Sequence, residues 1–128
     1  MKKELINPPG TERTYEAWKF SQAVKAGNII WVSGQVGYGP DGVPDDISEQ
    51  ARIALNNLKA VLEHAGAKLT DVVETVVYLT DMADSKAFAA VKSEFFTSDY
   101  AASTVVGVTG LALPTLKVEV RATAVICD

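Results

Sequence analysis

Few residues in this chain could do chemistry, and most of the strongest candidates lie near its end. Glu119 and Arg121 are two apart in a run from Leu116 to Ile126 that reads as a strand. Alternate residues of a strand share a face, so a carboxylate and a guanidinium point the same way. A carboxylate in a partly dry cleft serves as a general base or positions a water. On an outward-facing strand the same pair is an ordinary ion pair or two solvated charges. Ser33 and Thr104 offer hydroxyls that either hold a ligand or satisfy nearby backbone groups. The aromatics Tyr15, Trp18, Phe20, Trp31 and Tyr38 gather in the first third and could wall an apolar cleft. Core packing explains Trp31 equally well, and Phe20 is the best placed to touch a ligand. Arg13 and Lys19 could reach such a cleft from a flexible arm.

Other chemistries find less support. The one histidine, His64, falls near a helix C-terminus, where a surface charge meets the helix dipole. No Ser/His/Asp arrangement follows, and Ser103 is a poor candidate nucleophile. The one cysteine, Cys127, rules out an intramolecular disulfide and a Cys-based metal site within one chain. Gly37 to Gly42 is not a phosphate loop, because no Lys-Ser/Thr follows and no helix opens at its end.

The elements that must position these residues follow from periodicity. The stretch to about Trp18 is polar, contains Pro8, Pro9 and Gly10, and reads as an extended arm with one short strand. Lys19 to Ala26 and Ile29 to Gln35 are rich in strand formers, and Gly27-Asn28 between them is a two-residue hairpin signal. From Ile47 to Ala65 the apolar residues recur at helical spacing. Asp46 caps that helix, Glu49 stands where a capping box needs it, and Gly66 ends it. Val72 to Leu79 is a strand, and Asp81 or Asp84 opens a second helix carrying Phe88, Val91 and Phe95. Ser103 to Val108 and Leu116 to Ile126 are the last strands. This order implies α+β, with both helices on one face of a mixed sheet. Yet Val72 with Val73, Val76 with Val77, and Val105 with Val106 place apolar side chains on both faces. A sheet apolar on both faces needs cover on both, which points to an oligomer.

At 128 residues the chain has the length of one domain, spanning 1–128 with an arm over 1–18. Hydrophobic residues make up 48% and charged residues 22%, which suits a globular protein. The formal net charge of -4, with scattered Lys and Arg, speaks against gripping a nucleic-acid backbone. The N-terminus lacks the apolar run of a signal peptide, and no segment approaches a membrane span. A cytoplasmic location is the expectation.

Several segments in order resemble the Rid family, also called YjgF or L-PSP. They are Phe20-Ser21-Gln22-Ala23-Val24-Lys25-Ala26-Gly27-Asn28, Val32-Ser33-Gly34-Gln35, and Glu49-Gln50-Ala51-Arg52 leading to Asn57-Leu58-Lys59-Ala60-Val61-Leu62. Further on come Val76-Val77-Tyr78-Leu79-Thr80-Asp81-Met82, Glu94-Phe95-Phe96 and Lys117-Val118-Glu119-Val120. The resemblance covers about Phe20 to Val125. It implies a chorismate-mutase-like fold: a mixed six-stranded sheet with two helices on one face, assembled as a homotrimer with clefts between subunits. It also implies hydrolysis of small reactive imines or enamines to a carbonyl compound and ammonia, with neither metal nor organic cofactor. In that chemistry an arginine binds the substrate carboxylate, and water attacks the imine carbon with help from a glutamate and backbone groups.

Carried over residue by residue, the family glutamate corresponds to Glu119 and the serine of the Ser-Gly-Gln turn to Ser33. The family tyrosine corresponds to Phe20, which lacks the hydroxyl. The arginine of a Pro-Ala-Arg-Ser segment falls at Ser103, and the following serine at Thr104. Arginine holds a carboxylate through two charged hydrogen bonds, and serine offers one neutral hydroxyl. Losing the charged anchor costs about 1.5–3 kcal/mol of binding. The pocket therefore takes an altered substrate, or its anchor comes from elsewhere, with Arg121 a candidate. The substrate-contacting set is then Phe20, Ser33, Ser103, Thr104 and Arg121, with Glu119 catalytic. The alternatives are a non-catalytic trimer that binds a small metabolite or a protein partner, and an endoribonuclease or translation inhibitor.

Overall fold

The protein's structure is a computed structural model that describes residues 2–127. Six strands form one mixed sheet in the order β1-β2-β3-β6-β4-β5. The pairs are antiparallel except β4 with β5, which are parallel. β1 is Lys3–Ile6, β2 Ala23–Ala26, β3 Ile29–Val36, β4 Val72–Leu79, β5 Ala102–Gly107 and β6 Val118–Val125. The helices are α1, Glu12–Trp18, α2, Ile47–His64, and α3, Ser85–Phe95.

The core lies between the sheet and α2 with α3. Alternation puts Val118, Val120, Ala122 and Ala124 of β6 under α2, all buried, while Glu119, Arg121 and Thr123 face away. Ala51, Leu55, Leu58 and Leu62 of α2 are 0% exposed. Burying one such leucine contributes about 1.5–3 kcal/mol. The Asp46 carboxylate accepts the Glu49 N–H at 3.0 Å, capping α2 as its sequence requires. α3 adds Phe88 and Val91 to the core. An exposed Arg52–Glu94 ion pair, 2.9 Å apart, ties α2 to α3.

At the 27–28 hairpin only Gly27 takes positive φ, 62°, so the turn is of the type with glycine first. β2 begins at Ala23 rather than Lys19, because Lys19 ends α1 in the left-handed conformation with φ 62°. That helix is the main departure from expectation, since the arm over 1–18 is not extended throughout. The Thr11 hydroxyl donates to the Pro8 carbonyl at 2.6 Å, and the Thr11 carbonyl accepts the Tyr15 N–H at 3.2 Å. Together they close the first turn after Pro8-Pro9-Gly10. A helix of seven residues with none buried carries no apolar stripe from which to be read. Among the described residues α2 and α3 are the two helices expected, and α1 is a third.

The far face of the sheet is uncovered over β4 and β5. Val73, Val106 and Trp31 are exposed, and every residue of β5 is exposed. β5 is an edge strand with no Lys or Pro to protect it from pairing.

Candidate functional site

A cleft of about 950 Å³ opens on the face turned away from α2. α1 lends it Arg13, Thr14 and Trp18; β3 lends Trp31, Ser33 and Gly34; β6 lends Glu119 and Arg121. Phe20 and Tyr38 complete an aromatic wall, and Leu113 and Leu116 close one side.

The geometry begins with a bulge. Val32 pairs with Ala122 and Gln35 with Val120, so Ser33 and Gly34 together stand opposite Arg121 alone. Such a bulge bends the strand and re-aims its side chains. Gly34 then lies so close to Glu119 that an added Cβ would overlap the carboxylate. Glycine at this position gives the carboxylate its place against the β3 backbone.

Glu119 is half-buried, and burial pushes its carboxyl above the usual carboxylate range. Of the two ordinary readings of Glu119 and Arg121, ion pair or solvated charges, the ion pair does not form; among the described residues the only ion pair is Arg52–Glu94. Arg121 is exposed and lines the cleft with its charge free. Ser33 also lines it, but its hydroxyl donates to the Ser21 carbonyl at 2.7 Å and so satisfies local backbone.

Behind the cleft, buried amides set the loops. Gln35 donates to Gln22 Oε1 at 3.0 Å, and Asn7 Oδ1 accepts the Gln22 N–H at 3.1 Å, which fixes the segment after Phe20. Gln50 is 0% exposed. It donates to the Pro44 and Thr115 carbonyls at 2.8 and 3.0 Å and accepts the Lys117 N–H at 2.8 Å, two residues before Glu119.

The structure thus brings Phe20, Ser33, Glu119 and Arg121 together. Ser103 and Thr104 lie apart from them on β5, two strands beyond β6. Thr104 shares the open face with Val76 and Arg121 in one row across the sheet. Ser103 faces the other way, toward α3. Its hydroxyl meets Thr75 Oγ1 at 3.1 Å and accepts from Lys92 Nζ at 3.0 Å. Lys92 also donates to Thr75 Oγ1 at 3.2 Å, and burial pulls its ammonium below the usual lysine range. Lys19 does not line the cleft, whereas Arg13 does, held by α1. Among the described residues no cluster of His, Cys, Asp and Glu could hold a metal ion. No helix there is long and apolar enough to cross a membrane.

Sequence reasoning passed over Lys92, Gln50 and Gly34 as site residues. Lys92 had a signal, since it lies four residues after Phe88 and three before Phe95, on the apolar stripe of α3.

Comparison with known proteins gives a consistent result. Residues 11–126 match the family model described as Endoribonuclease L-PSP. The RutC family protein YjgH of Escherichia coli is 35% identical over 115 residues, 88% of each chain. A 2-iminobutanoate/2-iminopropanoate deaminase of Dermatophagoides farinae is 37% identical over 110 residues, 84% of this chain and 85% of that one. A Mycobacterium tuberculosis structure described as a YjgF/YER057c/UK114 family member superposes with a TM-score of 0.85 at 32% identity, covering 98% of this chain and 100% of that one.

Proposed function

Because the chain belongs to the L-PSP family, also known as Rid or YjgF, we propose that it hydrolyses small reactive imines or enamines to a carbonyl compound and ammonia. The observation that carries this reading is the half-buried, unpaired Glu119 carboxylate against Gly34 in an aromatic-walled cleft. Its raised pKa brings it closer to neutral working pH, where general-base efficiency is greatest. A water beside Glu119 adds to the imine carbon and gives up a proton to the carboxylate. The carboxylate returns that proton to the nitrogen to give a carbinolamine, then takes the hydroxyl proton and passes it to the nitrogen as the C–N bond breaks, so that ammonia leaves as the carbonyl forms. The relatives named deaminases support this chemistry.

The working unit in this reading is a homotrimer. The bare face and unprotected β5 edge are the surfaces a second copy covers. The β5 edge, with Thr104 on the open face and Ser103 on the α3 side, would then border the Glu119 cleft of the next subunit. With Ser103 in place of the arginine and Phe20 in place of the tyrosine, the contacts that hold the substrate differ from those of the arginine-bearing deaminases. The acidic balance of the chain keeps RNA outside this proposal.

The test is ammonia release from imines generated in place by an amino-acid oxidase, measured with and without the protein, across substrates of increasing side-chain size. Faster release than the uncatalysed reaction is the expected result. Thermal stabilisation by the matching keto acids without faster release would overturn it in favour of a metabolite-binding trimer.

A further inference from the structure

Ser103 stands where the resemblance expects a charged anchor, and on its own it is a neutral hydroxyl. The structure brings a cation to that same spot from another element. Lys92, in the last turn of α3, reaches the sheet so that its Nζ lies 3.0 Å from Ser103 Oγ and 3.2 Å from Thr75 Oγ1. The two hydroxyls are 3.1 Å apart, and the ammonium also sits 5.8 Å from the Phe96 ring centroid. Every partner of this ammonium is neutral, and among the described residues no carboxylate pairs with it. A half-buried ammonium is costly without a counter-charge, and two of its three protons are used here. The third has no protein acceptor among the described residues, and β5 beside it is exposed. Thr75 is 1% exposed, so the hydroxyl beneath is fixed and the ammonium is held at the strand surface.

Resting on the functional reading above, we infer that Lys92 and Ser103 form the anchor for the substrate's carboxylate, with the charge delivered from α3 instead of β5. Lysine binds as a point charge through a single hydrogen bond, where arginine forms a planar fork. The site therefore takes a small monoanionic carboxylate and constrains its orientation less. Thr75 positions the ammonium, and Ser103 adds a hydroxyl contact.

The experiment measures binding of 2-ketobutyrate, with 2-butanone as the uncharged control, by calorimetry and ligand-induced thermal shift. Wild-type protein binds the keto acid and not the ketone. Lys92→Met keeps the apolar stem and weakens keto-acid binding by roughly 10- to 100-fold, the value of one charged hydrogen bond. Ser103→Ala, which leaves α3 untouched, weakens it severalfold. Ser103→Arg in the Lys92→Met background restores it. Unchanged affinity in folded Lys92→Met, or the absence of keto-acid binding by the wild type, overturns the inference. Carboxylate binding that depends on Lys92 without any imine turnover would leave this anchor standing and remove the hydrolase reading. Turnover with binding indifferent to Lys92 would do the reverse.

Discussion

Replacing Gly34 with alanine isolates the position of one carboxylate. Gly34 does not have positive φ, so alanine brings no backbone strain there. The new Cβ would lie 2.5 Å from Glu119 Cδ and 2.8 Å from Glu119 Cγ. Its three nearest atoms all belong to that one side chain. Ordinary contact needs about 3.5 Å, so the carboxylate must retreat by about 1 Å. A side chain forced off its rotamer costs about 0.5–1.5 kcal/mol, and the fold survives that loss. Misplacing a catalytic group by about 1 Å costs on the order of 100-fold in rate. Gly34→Ala should therefore lower kcat/KM for imine hydrolysis by about two decades while lowering stability by only about 1 kcal/mol. Ammonia release gives the first quantity and urea unfolding the second. The double variant with Glu119→Gln should fall little further than Glu119→Gln alone, because both act on the same group. Wild-type kcat/KM in Gly34→Ala, or an equal loss in both backgrounds, would refute the reasoning.

Three further outcomes follow from the same geometry. Gln50→Leu strands the Pro44 and Thr115 carbonyls and the Lys117 N–H, and should cost about 3 kcal/mol by urea unfolding, at about 1 kcal/mol per bond; a loss below about 1 kcal/mol would mean that water replaces them. Burial raises the folded pKa of Glu119, so its protonated form is favoured in the fold, and wild-type stability is fullest below the ordinary carboxylate range and falls as pH rises through the raised value. Glu119→Gln should then gain stability relative to wild type between pH 4 and pH 8 by calorimetry, and a difference constant with pH would contradict the burial argument. Val106→Glu alters an exposed residue of β5, so the isolated fold should change by no more than about 0.5 kcal/mol; light scattering should show the trimer lost, and an unchanged mass would place the subunit contact elsewhere.

The legible parts were those set by periodicity. The spacing of Leu55, Leu58 and Leu62 predicted α2, and the alternation from Val118 to Ala124 predicted which residues of β6 face the core. Glu119 and Arg121 were accordingly placed on the open side. α1 was missed because seven residues, none of them buried, show no stripe, and the turn that starts it depends on the Thr11 contacts with Pro8 and Tyr15. The bulge at Ser33-Gly34 was missed because it is a mismatch between two strands 90 residues apart, which neither strand encodes alone. Spacing alone left Glu119 and Arg121 as an ion pair or two solvated charges; with Glu119 against Gly34, Arg121 is left exposed and unpaired among the described residues. Lys92 beside Ser103 joins α3 to β5 across the sheet edge, a contact that only the three-dimensional fold creates.

Whether Glu119 drives hydrolysis is tested most directly by following disappearance of a single imine by stopped-flow absorbance at pH 8, for wild type and Glu119→Gln at equal protein concentration. Wild-type protein should speed the decay well above the uncatalysed rate, and Glu119→Gln should lose at least about 100-fold of that acceleration, the scale of general acid–base catalysis. Equal acceleration by both proteins would contradict the role given to Glu119, and no acceleration by either would contradict the proposed activity.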